Sequence, residues 1–323
     1  MTMTPEQAAW FQGTFARLVE NVDRALMGKS EVVGLVLAAM LAEGHVLLED
    51  APGTGKTSLA KALAATVQGT SSRIQFTPDL LPSDVTGVTI YDQNTRTFEF
   101  HRGPVFASIV LADEINRASP KTQSALLEVM EESRVTVDGV THEAGRPFLV
   151  IATQNPIEQA GTYKLPEAQL DRFLVKTSIG YPDLEVAERI LAGAADRNPS
   201  AHLPAIITTS AVADMADLAA TAHVEGAVLR FVAQLADATR ADPATRLGVS
   251  VRGTLAMVRV AKVWAAAQGR HFVTPDDIKA LAAPVWTHRI VLDPESEFSG
   301  ATASTVIDRA LEAVPAPQAR SAA

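Results

Sequence analysis

The positions of apolar and polar residues divide the chain into two parts with different periodicities. From residue 45 to about residue 181, short apolar runs alternate with segments of helical periodicity. This alternation is typical of an α/β fold in which helices connect the strands of a parallel sheet. The predicted strands are His45–Glu49, Arg73–Thr77, Ser108–Ala112, Phe148–Ala152 and Leu174–Ser178.

The second part begins after the segment GYPDLE, where the strand-like runs end and alanine-rich segments of helical periodicity follow. Within it, Thr274 and Pro275 are typical of a helix start, with threonine as the N-cap and proline in the first turn. We therefore place a domain boundary near Pro182. The prediction is an α/β domain over residues 1–182, a helical domain over residues 183–312 and a disordered tail over residues 313–323.

Composition and charge narrow the classes of protein that fit this pattern. The 323 residues are 47% hydrophobic, which is enough for a substantial core. The 28 basic and 37 acidic residues give a net charge of −9. That charge argues against nucleic acid as the main partner, because phosphate neutralisation needs a basic surface.

The compartment is inferred from three features of the sequence. Cysteine is absent, as expected in a reducing compartment. The start MTMTPEQAAW lacks the basic and then apolar order of a signal peptide. The longest apolar run, Val32–Ala42, is too short to cross a bilayer. We expect a cytoplasmic protein that does not insert into membranes.

The stretch HVLLEDAPGTGKTSLAKALAA follows the order strand, phosphate-binding loop and helix. It matches the pattern G-x-x-x-x-G-K-[ST], except that Asp50 stands at the first glycine. Asp tolerates left-handed backbone geometry, so Asp50 could still form the turn with its carboxylate directed away from the phosphates. The predicted phosphate-binding residues are Asp50, Ala51, Pro52, Gly53, Thr54, Gly55, Lys56, Thr57 and Ser58.

Each of these loop residues has a chemical role in that prediction. Gly53 and Gly55 allow backbone N–H groups to surround a phosphate, and Lys56 reaches the β and γ oxygens. Thr57 offers a hydroxyl to Mg²⁺. The alternative is an ordinary glycine-containing turn that carries a lysine by chance.

Two further strand ends carry polar groups of the same chemistry. In SIVLADEINRA, Asp113 and Glu114 follow an apolar run, at the strand end where open α/β sheets bind ligands. Asp113 is predicted to hold Mg²⁺, and Glu114 to orient and polarise an attacking water. Asn155 ends the run FLVIATQNP, where its amide suits the same water or the γ-phosphate. The alternatives are a solvated acidic strand end and a simple Asn-Pro turn.

The motifs GTGKT, VLADEINRA, IATQNP and LPEAQLDRF, in this order, resemble those of the AAA+ ATPases. Two stretches, RIQFTPDLLPSDVTG and EINRASPKTQSALLEVMEE, resemble the MoxR family within that group. The resemblance extends over roughly residues 32–290. It assigns Lys56 and Thr57 to Walker A, Asp113 and Glu114 to Walker B, Asn155 to sensor 1, Arg172 to the arginine finger and Arg252 to sensor 2. Val251 departs from the family pattern, which often has proline there.

The resemblance also implies an architecture. The expected fold is an AAA+ P-loop NTPase core with a five-stranded parallel sheet in the order 5-1-4-3-2 and a C-terminal helical lid. Subunits of this class assemble into rings, usually hexamers, in which Arg172 would reach the ATP of a neighbouring subunit. A plainer alternative is that Arg172 is a surface arginine paired with Asp171 or Glu167.

Two segments are predicted to form β-hairpins. RVTVDGVTHEA alternates polar and apolar residues about Asp138-Gly139, a strong two-residue turn signal, and resembles the presensor 1 hairpin. VTIYDQNTRTFEFHRG resembles the helix-2 insert. In the family such hairpins face the ring pore or a partner. The alternative is that both are edge ribbons that cover the sheet.

These observations predict a Mg²⁺-dependent ATPase of MoxR type that uses ATP to remodel or mature a protein client. The resemblance implies a client or partner with a von Willebrand factor A domain. One alternative is a nucleic-acid motor, since related helix-2-insert ATPases include helicases. The other is a nucleotide-dependent scaffold that does not hydrolyse ATP.

Overall fold

The computed structural model describes residues 2–155, 163–192 and 199–317. Within these ranges the α-helices are α1 Pro5–Asp23, α2 Ser30–Leu41, α3 Lys56–Thr66, α4 Pro82–Thr86, α5 Pro120–Glu132, α6 Glu167–Leu170, α7 Leu184–Ala192, α8 Thr209–Ala220, α9 Gly226–Ala241, α10 Val251–Ala267, α11 Pro275–Trp286, α12 Pro294–Phe298 and α13 Ala303–Ala313. The strands are β1 Val46–Glu49, β2 Ser71–Gln75, β3 Gly87–Asp92, β4 Thr97–Arg102, β5 Ile109–Asp113, β6 Arg134–Val137, β7 Val140–Glu143, β8 Leu149–Gln154, β9 Val175–Thr177, β10 Thr245–Leu247 and β11 Val291–Leu292.

Five of these strands form the central sheet, in the order β2-β5-β8-β1-β9. Strand β5 pairs in parallel with β2 and β8, and β8 pairs in parallel with β1. Numbered along the chain, the five core strands have the order 5-1-4-3-2, so the predicted fold class and strand order are confirmed. All five predicted strands are present, with ends shifted by no more than two residues.

The central strands form because their residues are apolar on both faces. Every residue of β5 is buried, and β8 is buried except for its last residue. Such runs are typical of parallel strands covered by helices on both sides. The edge strand β2 alternates instead, and only Ile74 is fully buried. This leaves Arg73 and Gln75 exposed at the carboxyl end of the strand.

Both predicted hairpins are present. Strands β6 and β7 pair antiparallel about Asp138 and Gly139, which have φ angles of 50° and 79°. Two successive positive φ angles are the geometry of a type I′ turn, which explains the Asp-Gly sequence. Strands β3 and β4 form the second hairpin, paired from Gly87 with Arg102 to Asp92 with Thr97. The roles predicted for the two hairpins stay predictions.

Contacts divide the chain into two compact units. We call Arg17–Leu165 with Thr177–Asp214 the sheet unit. We call Met1–Ala16, Pro166–Lys176 and Met215–Ala323 the helical unit. The domain boundary near Pro182 and the tail over residues 313–323 stay predictions; helix α13 ends at Ala313, and residues 318–323 lie outside the described part.

Side-chain caps mark the starts of α10 and α11 in the helical unit. The Oγ1 atom of Thr274 accepts from the backbone N–H of Asp277, whose carboxylate accepts from Thr274 N, and Pro275 follows the cap. The predicted N-cap is therefore confirmed as a capping box. Ser250 caps α10 in the same way through the N–H of Gly253. No helix among the described residues is both long enough and apolar enough to span a bilayer.

His288 is a buried ionisable group of the helical unit. Its Nε2 lies 2.9 Å from the carbonyl oxygen of Phe173, to which a protonated Nε2 donates. Burial, and next the positive charge of Arg289, hold the pKa of His288 well below its ordinary value of 6.5. The folded protein therefore keeps this imidazole neutral under conditions in which an exposed histidine binds a proton.

We predict that protein stability falls below pH 6.5 partly because of His288. In the unfolded chain the imidazole binds a proton as the pH drops through about 6.5, whereas the folded chain resists protonation. The free energy of unfolding should then decrease by up to about 1.4 kcal/mol per pH unit. Urea unfolding between pH 7.5 and 5.5 should show a weaker pH dependence for His288→Gln than for the wild type. The control is His223→Gln, at an exposed histidine; equal pH dependence in all three proteins would contradict the assignment.

Candidate functional site

The loop between β1 and α3 depends on two glycines in left-handed conformations. Gly53 and Gly55 have φ angles of 85° and 97°, a region that other residues adopt only with strain. At Gly55, which is also the N-cap of α3, an added Cβ would lie 2.8 Å from Leu26 Cδ1. The backbone conformation therefore favours glycine at position 55, and a larger residue would also have to displace the Leu26 side chain.

Lys56 begins α3 and turns its side chain back onto this loop. Its Nζ donates to the carbonyl oxygens of Asp50 and Ala51, at 3.1 Å in each case. The ammonium group is thus held in the concave side of the loop, at the N-terminal end of a helix. A positive charge and a helix N-terminus in one place favour a bound anion.

One part of the expectation for Asp50 is wrong and the other agrees with the structure: its backbone is not left-handed, but its carboxylate does not line the cavity. The left-handed geometry proposed for it is wrong, since Asp50 is not among the described residues with positive φ. Its buried carboxylate accepts from Ser178 Oγ at 2.7 Å and from the N–H groups of Ile179 and Gly180 at 2.7 and 2.9 Å. The carboxylate therefore ties the start of the loop to the segment after β9.

Asp113 ends β5 and shares its carboxylate between two neighbouring strands. Thr153 Oγ1 on β8 donates to Oδ1 at 2.7 Å, and Arg73 Nη2 on β2 lies 2.6 Å from Oδ2. The same Arg73 nitrogen donates to Gln75 Oε1 at 2.9 Å. These two contacts orient the Asp113 carboxylate at the carboxyl edge of the sheet.

Glu114 adopts an unusual backbone conformation directly after Asp113. Its φ and ψ angles are 57° and 49°, a left-handed geometry that costs a non-glycine residue about 1–2 kcal/mol. The N–H of Glu114 donates to Thr153 Oγ1 at 2.9 Å. Gln75 Nε2 and Arg117 Nη1 each donate to its carboxylate at 2.8 Å. Such strain concentrates at functional sites, where surrounding contacts maintain it.

These groups surround one cavity of about 410 Å³ in the sheet unit. Its lining residues are Pro52, Gly53, Gly55, Lys56, Thr57, Ser58, Arg73, Gln75, Asp113, Glu114, Thr153 and Asn155. The hydroxyl of Thr57 and the carboxylate of Asp113 are oxygen ligands of the kind that Mg²⁺ prefers. Lys56 at a glycine loop suits the phosphates that such a metal accompanies. The residues present therefore fit a magnesium nucleotide.

The structure brings together most of the residues predicted for the site. Lys56, Thr57, Asp113, Glu114 and Asn155 all line the cavity, as do Pro52, Gly53, Gly55 and Ser58. The cavity lining does not include Asp50, Ala51 or Thr54. Arg172, shortly after α6, and Arg252, in the first turn of α10, belong to the helical unit, and their roles stay predictions.

Sequence reasoning missed four residues that hold the two acids in place: Arg73, Gln75, Arg117 and Thr153. A signal was present for two of them, because alternation in β2 places Arg73 and Gln75 on one face. Gln75 pairs in register with Asp113. The expected strand order already made β2 a neighbour of β5, so the polar side chains could have been assigned to the site.

Comparisons with known proteins agree with this geometry. A family model described as ATPase family associated with various cellular activities (AAA) matches residues 45–175, and an AAA lid domain model matches residues 237–310. The chain is 46% identical to the uncharacterized protein YeaC of Bacillus subtilis, over 95% of this chain and 96% of that protein. It is 40% identical to Chaperone MoxR1 of Mycobacterium tuberculosis, over 94% of this chain and 83% of that protein.

The fold is also similar to a solved structure. A protein of Cytophaga hutchinsonii, described as a "putative ATPase", has a TM-score of 0.90 and 35% identity, with 97% of this chain and 98% of that chain covered. Protein MoxR of Paracoccus denitrificans is 33% identical over 91% of this chain and 94% of that protein. The chain belongs to the MoxR family of AAA+ ATPases, and the resemblance carried by its motifs is confirmed.

We predict that Asp50→Gly separates stability from nucleotide binding. The variant loses three hydrogen bonds to a buried carboxylate, so the free energy of unfolding should fall by roughly 3 kcal/mol. Its affinity for ATP should stay within about tenfold of the wild type, equivalent to 1.4 kcal/mol, because the carboxylate is directed away from the cavity. Lys56→Ala should instead lose ATP binding. Equally complete loss in both variants, measured by calorimetry, would place the Asp50 carboxylate at the phosphates.

Proposed function

We propose that this protein is a Mg²⁺-dependent ATPase that assembles into a hexameric ring and remodels protein clients. The observation that carries the proposal is the convergence of Lys56, Thr57, Asp113, Glu114 and Asn155 on one cavity. A glycine loop alone would support phosphate binding. The two acids at the adjacent strand end add the groups that hydrolysis needs.

Lys56, Thr57 and Asp113 serve binding in this proposal. The Lys56 ammonium would exchange the carbonyls of Asp50 and Ala51 for phosphate oxygens, a stronger charge-assisted interaction. Thr57 and Asp113 would hold Mg²⁺, which neutralises charge on the β and γ phosphates when bound. Asp113 would need to share or give up its contact with Arg73, because that contact uses Oδ2.

Glu114 serves the chemical step. Its carboxylate orients and polarises a water for attack on the γ-phosphate, and Asn155 positions the same water or the phosphate. Gln75 and Arg117 limit the rotation of the carboxylate, and the Thr153 contact fixes the backbone from which it projects. A constrained carboxylate needs little reorganisation during the reaction.

The ring and the roles of Arg172 and Arg252 rest on membership of the family. An arginine supplied by a neighbouring subunit stabilises charge that develops on the γ-phosphate. Arg172 is proposed as that finger, and Arg252 as an arginine that contacts the nucleotide. Catalysis then requires an assembled ring, because neither the loop nor the finger completes a site alone.

The client is proposed to be a protein, with a von Willebrand factor A domain protein as the partner. The name of the 40% identical relative, Chaperone MoxR1, supports a protein client. The hairpin β3–β4 also carries an exposed aromatic pair, Tyr91 and Phe98, whose ring centroids are 5.1 Å apart. Exposed aromatic side chains are common in protein contacts.

Glu114→Gln tests hydrolysis directly. The amide keeps the size of the side chain but cannot act as an anionic base, so turnover should fall at least about 100-fold while the affinity for ATP with Mg²⁺ is retained. Phosphate release and calorimetry measure the two quantities. The matched control is Glu132→Gln, which makes the same change at an exposed glutamate paired with Arg134. Normal turnover in Glu114→Gln would remove Glu114 from the mechanism.

Arg172→Ala tests action across a subunit boundary. A finger acts in the transition state, so ATP binding should be nearly normal while turnover falls by about 10³-fold or more. Mixed rings of Arg172→Ala and Lys56→Ala subunits should regain activity, because an intact loop then meets an intact Arg172. Rings shown by mass analysis to contain both subunits, yet as inactive as either parent, would make Arg172 a structural ion-pair residue.

A further inference from the structure

The helical unit contains a buried arginine, Arg289, directed at one short segment of the chain. Its side chain is 2% exposed, and its Nε lies 2.7 Å from Asp171 Oδ1. It also donates to the carbonyl oxygens of Asp171 at 3.2 Å, Phe173 at 2.7 Å and Leu174 at 3.3 Å. These acceptors lie between residues 171 and 174, and Nη1 also contacts the Val285 carbonyl oxygen and His288 Nε2. Arg172 lies within this segment, and Arg289 contacts the residues directly before and after it.

Burial of the Arg289 charge is electrostatically unfavourable. Burial lowers the pKa of Arg289 to about 10, opposed by Asp171 and reinforced by the charges of Arg259 and Arg252. A buried cation with two more arginines nearby is not the arrangement that gives the greatest stability, since apolar residues often serve better. The guanidinium does give directional control, because its rigid set of donors fixes several carbonyl groups at once.

The same network reaches the first turn of α10. Ser250, the N-cap of that helix, donates to Asp171 Oδ2 at 2.8 Å. A Cβ added at Gly253 would lie 2.7 Å from Arg289 Cδ, so glycine is needed for the arginine to pack against this turn. The backbone around Arg172 is thus fixed by Arg289 and Ser250, and the segment 166–176 belongs to the helical unit.

We propose that Arg289 is a positioning residue for Arg172: by fixing Asp171, Phe173 and Leu174, it sets the direction in which Arg172 leaves the backbone. This inference rests on the proposed function, in which Arg172 acts on the ATP of a neighbouring subunit. The finger must be placed accurately, because a displacement of about 1 Å can reduce a rate about 100-fold. Arg289 itself touches no reacting group.

The helical unit also supplies a matched control. Arg270 forms a two-fold ion pair with Asp277, at 2.7 and 2.5 Å. Arg270 also donates to the Phe272 carbonyl oxygen and to Thr274 Oγ1, so this pair stabilises the start of α11 rather than segment 171–174. Arg270→Lys therefore weakens a comparable Arg–Asp pair in the same unit, without a direct effect on the finger.

The test mixes pairs of variants in one ring and measures whether ATPase activity is restored. Variants that fail to restore each other lack the same function and form one complementation group. Arg289→Lys keeps the charge but loses the planar set of donors. We expect its affinity for ATP to stay within about threefold of the wild type and its kcat to fall roughly tenfold or more. Mixed with Lys56→Ala subunits it should regain activity, as Arg172→Ala does. Mixed with Arg172→Ala, activity should not rise above the weighted average of the two parents, because every finger in such a ring is either absent or misplaced.

Arg270→Lys should behave in the opposite way, since its finger is intact: it should restore activity to Arg172→Ala subunits. If Arg289→Lys also restores Arg172→Ala, or fails to complement Lys56→Ala while Arg172→Ala succeeds, Arg289 does not act through Arg172. If Arg172→Ala and Lys56→Ala themselves fail to complement, the trans-acting finger is wrong, and the inference falls with the proposed function.

A second variant keeps the test valid if Arg289→Lys does not fold, as judged by circular dichroism. Gly253→Ala leaves Arg289 and Asp171 in the chain but places a methyl group against Arg289 Cδ. It should fall into the same complementation group as Arg172→Ala. Full activity of Gly253→Ala in unmixed rings, with an unchanged kcat, would overturn the positioning role.

Discussion

The hydroxyl of Thr153 holds together the two acids on which the site depends. Parallel pairing of β5 with β8 sets Ala112 beside Ala152 in the register, so the next residues of both strands emerge side by side. There Thr153 Oγ1 donates to the Asp113 carboxylate and accepts from the N–H of Glu114. One buried hydroxyl thus orients the proposed metal ligand and maintains the left-handed backbone of the proposed base.

In this structure the charged groups of the cavity are held by partners within the protein. Lys56 donates to loop carbonyls, Asp113 pairs with Arg73, and Glu114 accepts from Gln75 and Arg117. Binding of a magnesium nucleotide would exchange some of these contacts for stronger ones. The net affinity is then a difference between two sets of polar interactions, which makes it sensitive to residues that never touch the nucleotide. The affinity should also depend on Arg73, which lines the cavity and links Asp113 to Gln75.

Local sequence patterns predicted the features that depend on residues close together in the chain, namely strands, turns and helix starts. The five core strands follow from apolar runs, the β6–β7 turn from Asp138-Gly139, and the start of α11 from Thr274 and Pro275. The phosphate loop follows from glycine spacing and from Lys56. Partners that lie far away in sequence and outside the expected strand pairing were not predictable from local patterns. The Asp50 carboxylate bonds to Ser178 across 128 positions, and Arg289 bonds to Asp171 across 118.

The central proposal is that this cavity binds ATP together with Mg²⁺, and that Thr57 and Asp113 hold the metal ion. A crystal structure of the Glu114→Gln protein grown with ATP and Mg²⁺ tests it most directly. The account predicts a metal ion about 2.1 Å from Thr57 Oγ1, with Asp113 in its coordination sphere directly or through water. It also predicts Lys56 on the phosphates instead of the loop carbonyls. ATP bound with its phosphates away from Lys56, or Mg²⁺ bound without contact to either Thr57 or Asp113, would contradict the account.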